Sequence, residues 1–218
     1  MLPNLNTQEI ILELLLSIYD AQQKQGVLIE ELLRFKKSAL KEAFSKENCF
    51  KIRVADISEN LDNRRVPIKR SVRTSGPYPY FGASGIVDYV NEYIFDEPIL
   101  LISEDGENLN SRKLPIAYEV DEKCWVNNHA HVLKITKASR YLVAEYFNSH
   151  DVSDYITGGT RPKITKGMLS DMPVYLPKSS FSINVENRLL SIDSAIEVAK
   201  TQYRLTQNLM ASIQNKVF

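Results

Sequence analysis

The chain has 218 residues, 44 % apolar and 25 % charged, a globular composition that excludes wholesale disorder. Its 27 basic residues balance 27 acidic ones, which excludes a polybasic coat but leaves room for local basic patches. Cys49 and Cys124 are too few for a disulfide scaffold, no apolar run reaches about 18 residues, and MLPNLNTQEI lacks a signal-peptide layout, so a soluble, cytoplasmic protein with no membrane partner is expected.

Residues 1–45 read as a long helix. Asn6 with Glu9 three residues on resembles a capping box. Steps of four and three select Ile11, Leu15, Ile18, Gln22, Gln25, Ile29, Leu32, Lys36, Ala39 and Ala43. Such spacing keeps one stripe facing a partner helix, as in a coiled coil. Gln22, Gln25 and Lys36 interrupt the stripe, and Gly26 weakens a helix by about 1 kcal/mol relative to alanine. A softer or bent middle is expected there.

Residues 46–178 read as a mixed domain. Strands are expected at Phe50 to Ile57, Ile86 to Val90, Ile99 to Ser103, Ile116 to Val120, His131 to Ile135 and Pro173 to Tyr175, and a short helix from Ala138 to Asn148. Many short strands, few helices and polar loops predict the α+β class: one globular mixed domain flanked by two long coiled-coil-forming helices.

Charge is segregated within this domain. Arg64, Arg65, Lys69, Arg70 and Arg73 form a run without an acid, as do Arg161, Lys163 and Lys166. Asp88, Glu92, Asp96, Glu97, Glu104, Asp105 and Glu107 form a run without a base. Such runs are commonly solvated faces; the alternative is that the basic loops touch phosphates while the acidic face points elsewhere. Three glycine-bearing segments, 77–85, 104–112 and 158–166, are candidates for base contacts, with ordinary polar turns as the other reading. The candidate DNA-binding residues are Arg64, Arg65, Lys69, Tyr80, Ser84, Asn108, Asn110, Arg112, Thr160, Arg161, Lys163 and Lys166, because arginine pairs with guanine edges and asparagine with adenine edges.

Catalytic motifs are absent from the sequence. It contains no GxGxxG, P-loop or GxSxG, and no proline lies in the Asn/Asp-Pro-Pro-aromatic setting of an adenine methyltransferase. Cys124, His129 and His131 lie close in sequence, but three ligands on one short stretch make a weak metal motif, and hydrogen-bonding roles are expected instead. No metal, cofactor or catalytic activity is assigned to this chain.

Residues 179–218 read as a second long helix with the seam Val185, Leu189, Ile192, Ile196, Ala199, Tyr203, Thr206, Met210, Ile213 and Val217. It repeats the first. Shifting the chain by 174 residues superimposes Leu2-Pro3 on Leu176-Pro177, Leu15-Leu16-Ser17-Ile18 on Leu189-Leu190-Ser191-Ile192, Ala21 on Ala195, Ser38 on Ser212 and Phe44 on Phe218. Ile11, Leu15, Ile18, Ile29, Leu32, Val185, Leu189, Ile192, Ile196, Tyr203, Met210 and Ile213 are therefore the expected helix or dimer interface. Leu176-Pro177 closes the middle domain, and Leu2-Pro3 has the same form with no domain before it. The chain is expected to be one half of a two-fold protein.

PYPYFGASGIVDYVNEYIFDEPILLISEDGENL, WVNNHAHVLKI and YITGGTRPKITKGMLSDMPVYLP resemble a target-recognition domain of type I restriction-modification specificity (S) subunits. The flanking helices resemble that family's conserved spacer regions. The resemblance implies a non-catalytic subunit that recognises double-stranded DNA at a bipartite site and directs an adenine-N6 methyltransferase there. It further implies methyltransferase partners that use S-adenosylmethionine, and restriction subunits. With one recognition domain instead of two, a homodimer joined through the long helices is expected. A structural coiled-coil adaptor with a protein-binding globular domain is the alternative.

Overall fold

The computed structural model describes residues 4–217. Leu2-Pro3 and Phe218, which belong to the repeat, lie outside the described residues, as does the Val217 side chain. The chain divides into two compact units, residues 1–43 with 183–218, and residues 44–182.

The first unit is built from α1 (Leu5–Ala43) and α6 (Ser179–Val217). Each has 39 residues, about 58 Å at 1.5 Å per residue. The helix starts two residues earlier than the Asn6 motif predicts: Asn4 Oδ1 accepts from Thr7 N at 2.9 Å, so Asn4 is the cap. The helices run antiparallel. Gln25 lies opposite Thr206, Lys36 opposite Asp193, and Glu42 opposite Arg188. On α6 Val185, Leu189, Ile192, Ile196 and Ala199 are buried, while Tyr203, Thr206, Met210 and Ile213 are half-buried. On α1 Ile18, Ala39 and Ala43 are buried, and Ile11, Leu15, Ile29 and Leu32 are half-buried.

The polar interruptions are answered across the seam. Thr206 Oγ1 donates to Gln25 Oε1 at 3.0 Å, and Lys36 Nζ lies 2.7 Å from Asp193 Oδ1. α1 continues as one helix through Gly26. A Cβ at Gly26 would sit 3.8 Å from the Tyr203 ring, an ordinary contact distance, so the packing there has room for a methyl group.

The second unit holds three small sheets. β1 (Cys49–Arg53) pairs antiparallel with β9 (Pro173–Pro177), so the chain enters and leaves this unit on one ribbon. A four-stranded antiparallel sheet has the order β2 (Ser58–Asn60), β8 (Ala130–Ile135), β5 (Ile99–Ser103), β6 (Ala117–Val120). A third sheet orders β4 (Gly85–Val90), β3 (Tyr78–Gly82) and β7 (Trp125–Val126), with β3 and β7 parallel.

Every residue of central β5 is buried, as its unbroken apolar run requires of a strand covered on both faces. Ile99 and Leu101 join Phe81, Phe95, Val120, Cys124, Val126 and Val132 in the core. Helix α4 (Arg140–Ser149) contacts β5, β6 and β9, and Ser139 caps it by accepting from Leu142 N. Three further short helices are α2 (Val54–Ile57), α3 (Asn108–Ser111) and α5 (Lys166–Asp171).

The strand expected at Phe50 to Ile57 stops at Arg53. Val54 and Ile57, three residues apart, are both buried, a helical spacing that alternation cannot satisfy. Ser58 Oγ donates back to Val54 O at 2.7 Å and closes that turn. Segment 77–85, expected as a polar loop, is mostly strand β3, and only Ala83-Ser84 forms its tip.

Candidate nucleic-acid interface

The three glycine-bearing segments converge at one end of the sheets. Ser103 Oγ, at the end of β5, donates to Ala83 O in the β3–β4 tip. One residue on, Glu104 N donates to His129 O, and Ile164 N donates to Glu104 O at 2.8 Å. Asp105 forms a β-bridge with Lys163, and Gly106 N donates to Pro162 O at 3.0 Å. Thr157 and Lys163 exchange backbone hydrogen bonds at 2.8 and 2.7 Å, which closes a loop carrying Thr160 and Arg161. Gly158 makes that loop possible: its φ is +87°, and a Cβ there would lie 2.4 Å from Arg161 O.

A buried charge network underlies this end. His131 is 1 % exposed, with Nδ1 2.6 Å from Asp62 Oδ2 and Nε2 2.8 Å from Ile164 O. Asp62 Oδ1 accepts from Val132 N at 2.8 Å. Arg65 Nη1 meets Glu104 Oε2 at 2.5 Å and Ala130 O at 2.7 Å, and Lys163 Nζ meets Glu104 Oε1 at 2.8 Å. Burial works to raise the Asp62 and Glu104 carboxyl pKa values. Hydrogen bonds outweigh it, from His131 and Val132 to Asp62 and from Lys163 and Arg65 to Glu104, so both lie below the usual carboxylate range.

Asp62, Glu104 and His131 have the composition of a metal site. All four of their carboxylate oxygens already accept from protein donors, two of them cationic side chains, so the cluster is satisfied without an ion. Cys124 stands apart from it in the apolar core, where burial, aided by Glu122, pushes its thiol up to about 12. The hydrogen-bonding roles expected for His129 and His131 are present.

Segregated charge has a different meaning from a solvated or phosphate-facing surface. Arg73 pairs with Asp88, Arg64 with Glu97, Arg65 and Lys163 with Glu104, and Arg161 with Asp105. Lys123 takes Asp96. The acidic run is largely the counter-charge of the basic runs, a third arrangement beside solvated faces and basic loops with the acids pointing elsewhere.

Several candidate contact residues are held by partners within the fold, and buried Tyr80 is corrected to a core residue. Tyr80 is 1 % exposed, its hydroxyl accepts from Ile68 N at 3.0 Å, and Arg73 lies over its ring. Arg65 belongs to the buried network. Arg64 bonds Glu97 and Ile94 O and lies over Phe95. Asn108 closes a turn through Leu114 and Pro115. Arg112 Nη2 donates to Phe147 O at 2.5 Å and His150 O at 3.1 Å, capping the end of α4, and burial lowers its pKa. Lys163 is turned onto Glu104.

Ser84, Lys69, Asn110, Thr160, Arg161 and Lys166 remain exposed. Lys69 and Lys166 make no ion pair among the described residues. Of these six, Ser84, Thr160 and Arg161 lie on the tips that converge. Sequence reasoning missed Asp62 and placed Asp105 only in the acidic run and in segment 104–112. The legible signal was the His129 and His131 pair at the start of β8, which meets Asp105 and Asp62 respectively. Asp105 Oδ2 lies 3.0 Å from His129 Nδ1, and its Oδ1 2.8 Å from Arg161 Nη2. Such a surface offers cationic and hydroxyl donors to phosphates and base edges.

Residues 46–186 match the family model for the type I restriction modification DNA specificity domain. A curated Haemophilus influenzae protein named for a type I restriction enzyme specificity subunit is 32 % identical over 131 residues, 60 % of this chain and 34 % of that protein. In fold, the chain is similar to the S subunit of a Mycoplasma genitalium type I restriction-modification system, with TM-score 0.73, 14 % identity, and coverage of 99 % of this chain and 61 % of that one. It is also similar to the HsdS subunit of Thermoanaerobacter tengcongensis, with TM-score 0.60, 14 % identity, and coverage of 96 % and 56 %. The chain thus spans about a third of the curated relative and under two thirds of these solved chains. Among the described residues no helix is long and apolar enough to cross a membrane.

Proposed function

Because the chain belongs to the type I restriction modification DNA specificity domain family, we propose that it is a DNA-recognition subunit that directs an adenine-N6 methyltransferase, and with it restriction subunits, to a bipartite site. The convergence of the 83–84, 103–106 and 157–164 segments at one end of residues 44–182 carries this reading. It brings a hairpin tip, a strand end and a basic loop together on one surface inside the matched segment. The subunit positions and does no chemistry. Its methyltransferase partners use S-adenosylmethionine as the methyl donor, and the complex works on chromosomal DNA in the cytoplasm.

The long helices serve as spacer and assembly surface, and two copies pair through them to read a symmetric split site. Beside its seam, α1 exposes Leu5, Leu12, Tyr19 and Leu33 on one flank and Leu14, Leu28 and Phe35 on the other. Residues within each row are spaced by seven or fourteen, so each row keeps to one flank of the helix. Apolar rows on both sides of an occupied seam suit further helices.

Co-expression of the chain with the methyltransferase subunit of its own host, followed by mapping of N6-methyladenine, tests the reading. A symmetric split motif is the expected result. No motif from an assembled complex would refute recognition, an asymmetric motif would refute the homodimer, and so would a monomeric mass at micromolar concentration.

A further inference from the structure

The exposed arginine at the loop tip is held by the protein in a way that a simple phosphate contact does not require. Arg161 has a side chain 62 % exposed, yet its Nη2 lies 2.8 Å from Asp105 Oδ1 and 3.1 Å from His129 Nδ1. The Asp105 side chain is only 12 % exposed, and both of its oxygens lie 3.0–3.1 Å from His129 Nδ1. The backbone of Asp105 is bridged to Lys163, and Lys163 is paired with Thr157. The carboxylate is thus fixed from both sides, and it fixes one corner of the guanidinium. The neighbouring cation Lys163 is drawn inward onto Glu104, so the outward positive charge of this loop is that of Arg161.

A guanidinium carries five N–H donors in one plane. A parallel donor pair needs Nη2 with either Nη1 or Nε; Asp105 takes one Nη2 hydrogen, so the fork that uses the other remains for a ligand, in a plane set before binding. Much of the rotamer entropy that a free arginine loses on contact is already lost here. Two parallel donors in a fixed plane match the O6 and N7 acceptors of guanine. Adenine presents an acceptor beside a donor at that edge, and cytosine a donor, so neither accepts the pair.

We propose that Arg161 reads a guanine in the half-site, with Asp105 as a positioning residue that sets the plane of its guanidinium. This inference rests on the DNA-recognition reading and adds to it the base and the residue that reads it.

The test uses the full chain co-expressed with its host's methyltransferase subunit in a strain without adenine methylation of its own. N6-methyladenine is mapped for the unsubstituted chain and for Arg161→Lys, Arg161→Ala and Asp105→Asn. The original motif should contain an invariant G·C pair that becomes degenerate in both Arg161 variants, with discrimination falling on the order of ten- to a hundredfold. Other positions of the motif should keep their preference. Asp105→Asn keeps the size and removes the charge, and it should relax the same position although Arg161 is present. Thermal unfolding of each variant separates this from loss of fold; should Asp105→Asn not fold, the exposed Arg161→Lys decides. Retention of the guanine by Arg161→Lys would overturn the proposal, as would an even loss of methylation over the whole motif, which is the behaviour of a phosphate contact. Absence of any motif from the unsubstituted chain would overturn the recognition reading and this inference with it. An intact motif that no variant relaxes would overturn this inference alone.

Discussion

Replacing Glu104 by glutamine removes one charge from the centre of the buried network while keeping its shape. The Glu104 side chain is 10 % exposed and touches two cations, Arg65 at 2.5 Å and Lys163 at 2.8 Å. After the substitution Lys163, nearly half exposed, can turn to water. Arg65 cannot, because its side chain is 13 % exposed, and it is left with Asp62 Oδ2 at 3.4 Å as its remaining carboxylate contact. Breaking a buried pair by removing one partner costs about 3–5 kcal/mol; the release of Lys163 and the acceptor kept by glutamine place this case near about 3 kcal/mol.

Trp125, the single tryptophan, donates from its indole to Val66 O at 2.6 Å and reports unfolding of this unit by fluorescence. With a urea slope of about 2 kcal/mol per molar, the midpoint at pH 7 should fall by about 1.5 M. The difference should also depend on pH. Glu104 has a depressed folded-state pKa, so its stabilisation is complete above the unfolded glutamate value of about 4.3 and is lost as pH falls through the folded value. The gap between the original chain and Glu104→Gln should therefore be full at pH 7 and narrow on acidification below about pH 4. A midpoint change under about 0.3 M, or a gap that does not change with pH, would refute this account of the network.

Arg112→Ala should destabilise residues 44–182 by about 1.5–3 kcal/mol through the carbonyls it uncaps on α4, and should leave the methylated motif unchanged; an altered motif with normal stability would show that Arg112 reads DNA after all. Ile192→Ala, at a seam position 6 % exposed, should lower stability by about 2–4 kcal/mol, whereas Leu190→Ala, 45 % exposed, should cost less than about 1 kcal/mol; equal losses in thermal unfolding would contradict the seam. Gly26→Ala should raise the stability of the helical pair by up to about 1 kcal/mol, since the new methyl would meet Tyr203 at ordinary contact distance and the helix gains propensity; a lower melting temperature would show that Tyr203 needs the closer approach.

Legibility followed the range of the interactions. The seam on α6 was readable because a 3.5-residue period is a local property, and its described positions, Val185 to Ile213, are buried or half-buried. The bounds of β5 were readable because four apolar residues and a serine between polar turns leave little choice. Where two periods competed, as at Val54 and Ile57, propensity for strand lost to a buried turn whose backbone Val54 N donates to Met172 O. The Asn6 motif failed for a similar reason: Asn4, two residues earlier, supplies the same chemistry to Thr7.

The amino-acid sequence by itself determined the repeat, the helical seam, the α+β class and which three segments carry polar glycine-rich tips, because each of these rests on composition or spacing along the chain. Only the tertiary structure decided which bases are free to meet a ligand. Arg64, Arg65, Arg112 and Arg161 are equivalent as letters, yet the first three are spent on Glu97, Glu104 and the carbonyls of α4, while Arg161 stands outward on Asp105. Charge pairing acts through space over separations of tens of residues. A run of like charge in the sequence therefore marks equally well a surface for DNA and one half of an internal ion-pair network, and folding decides between them by the desolvation each side chain undergoes.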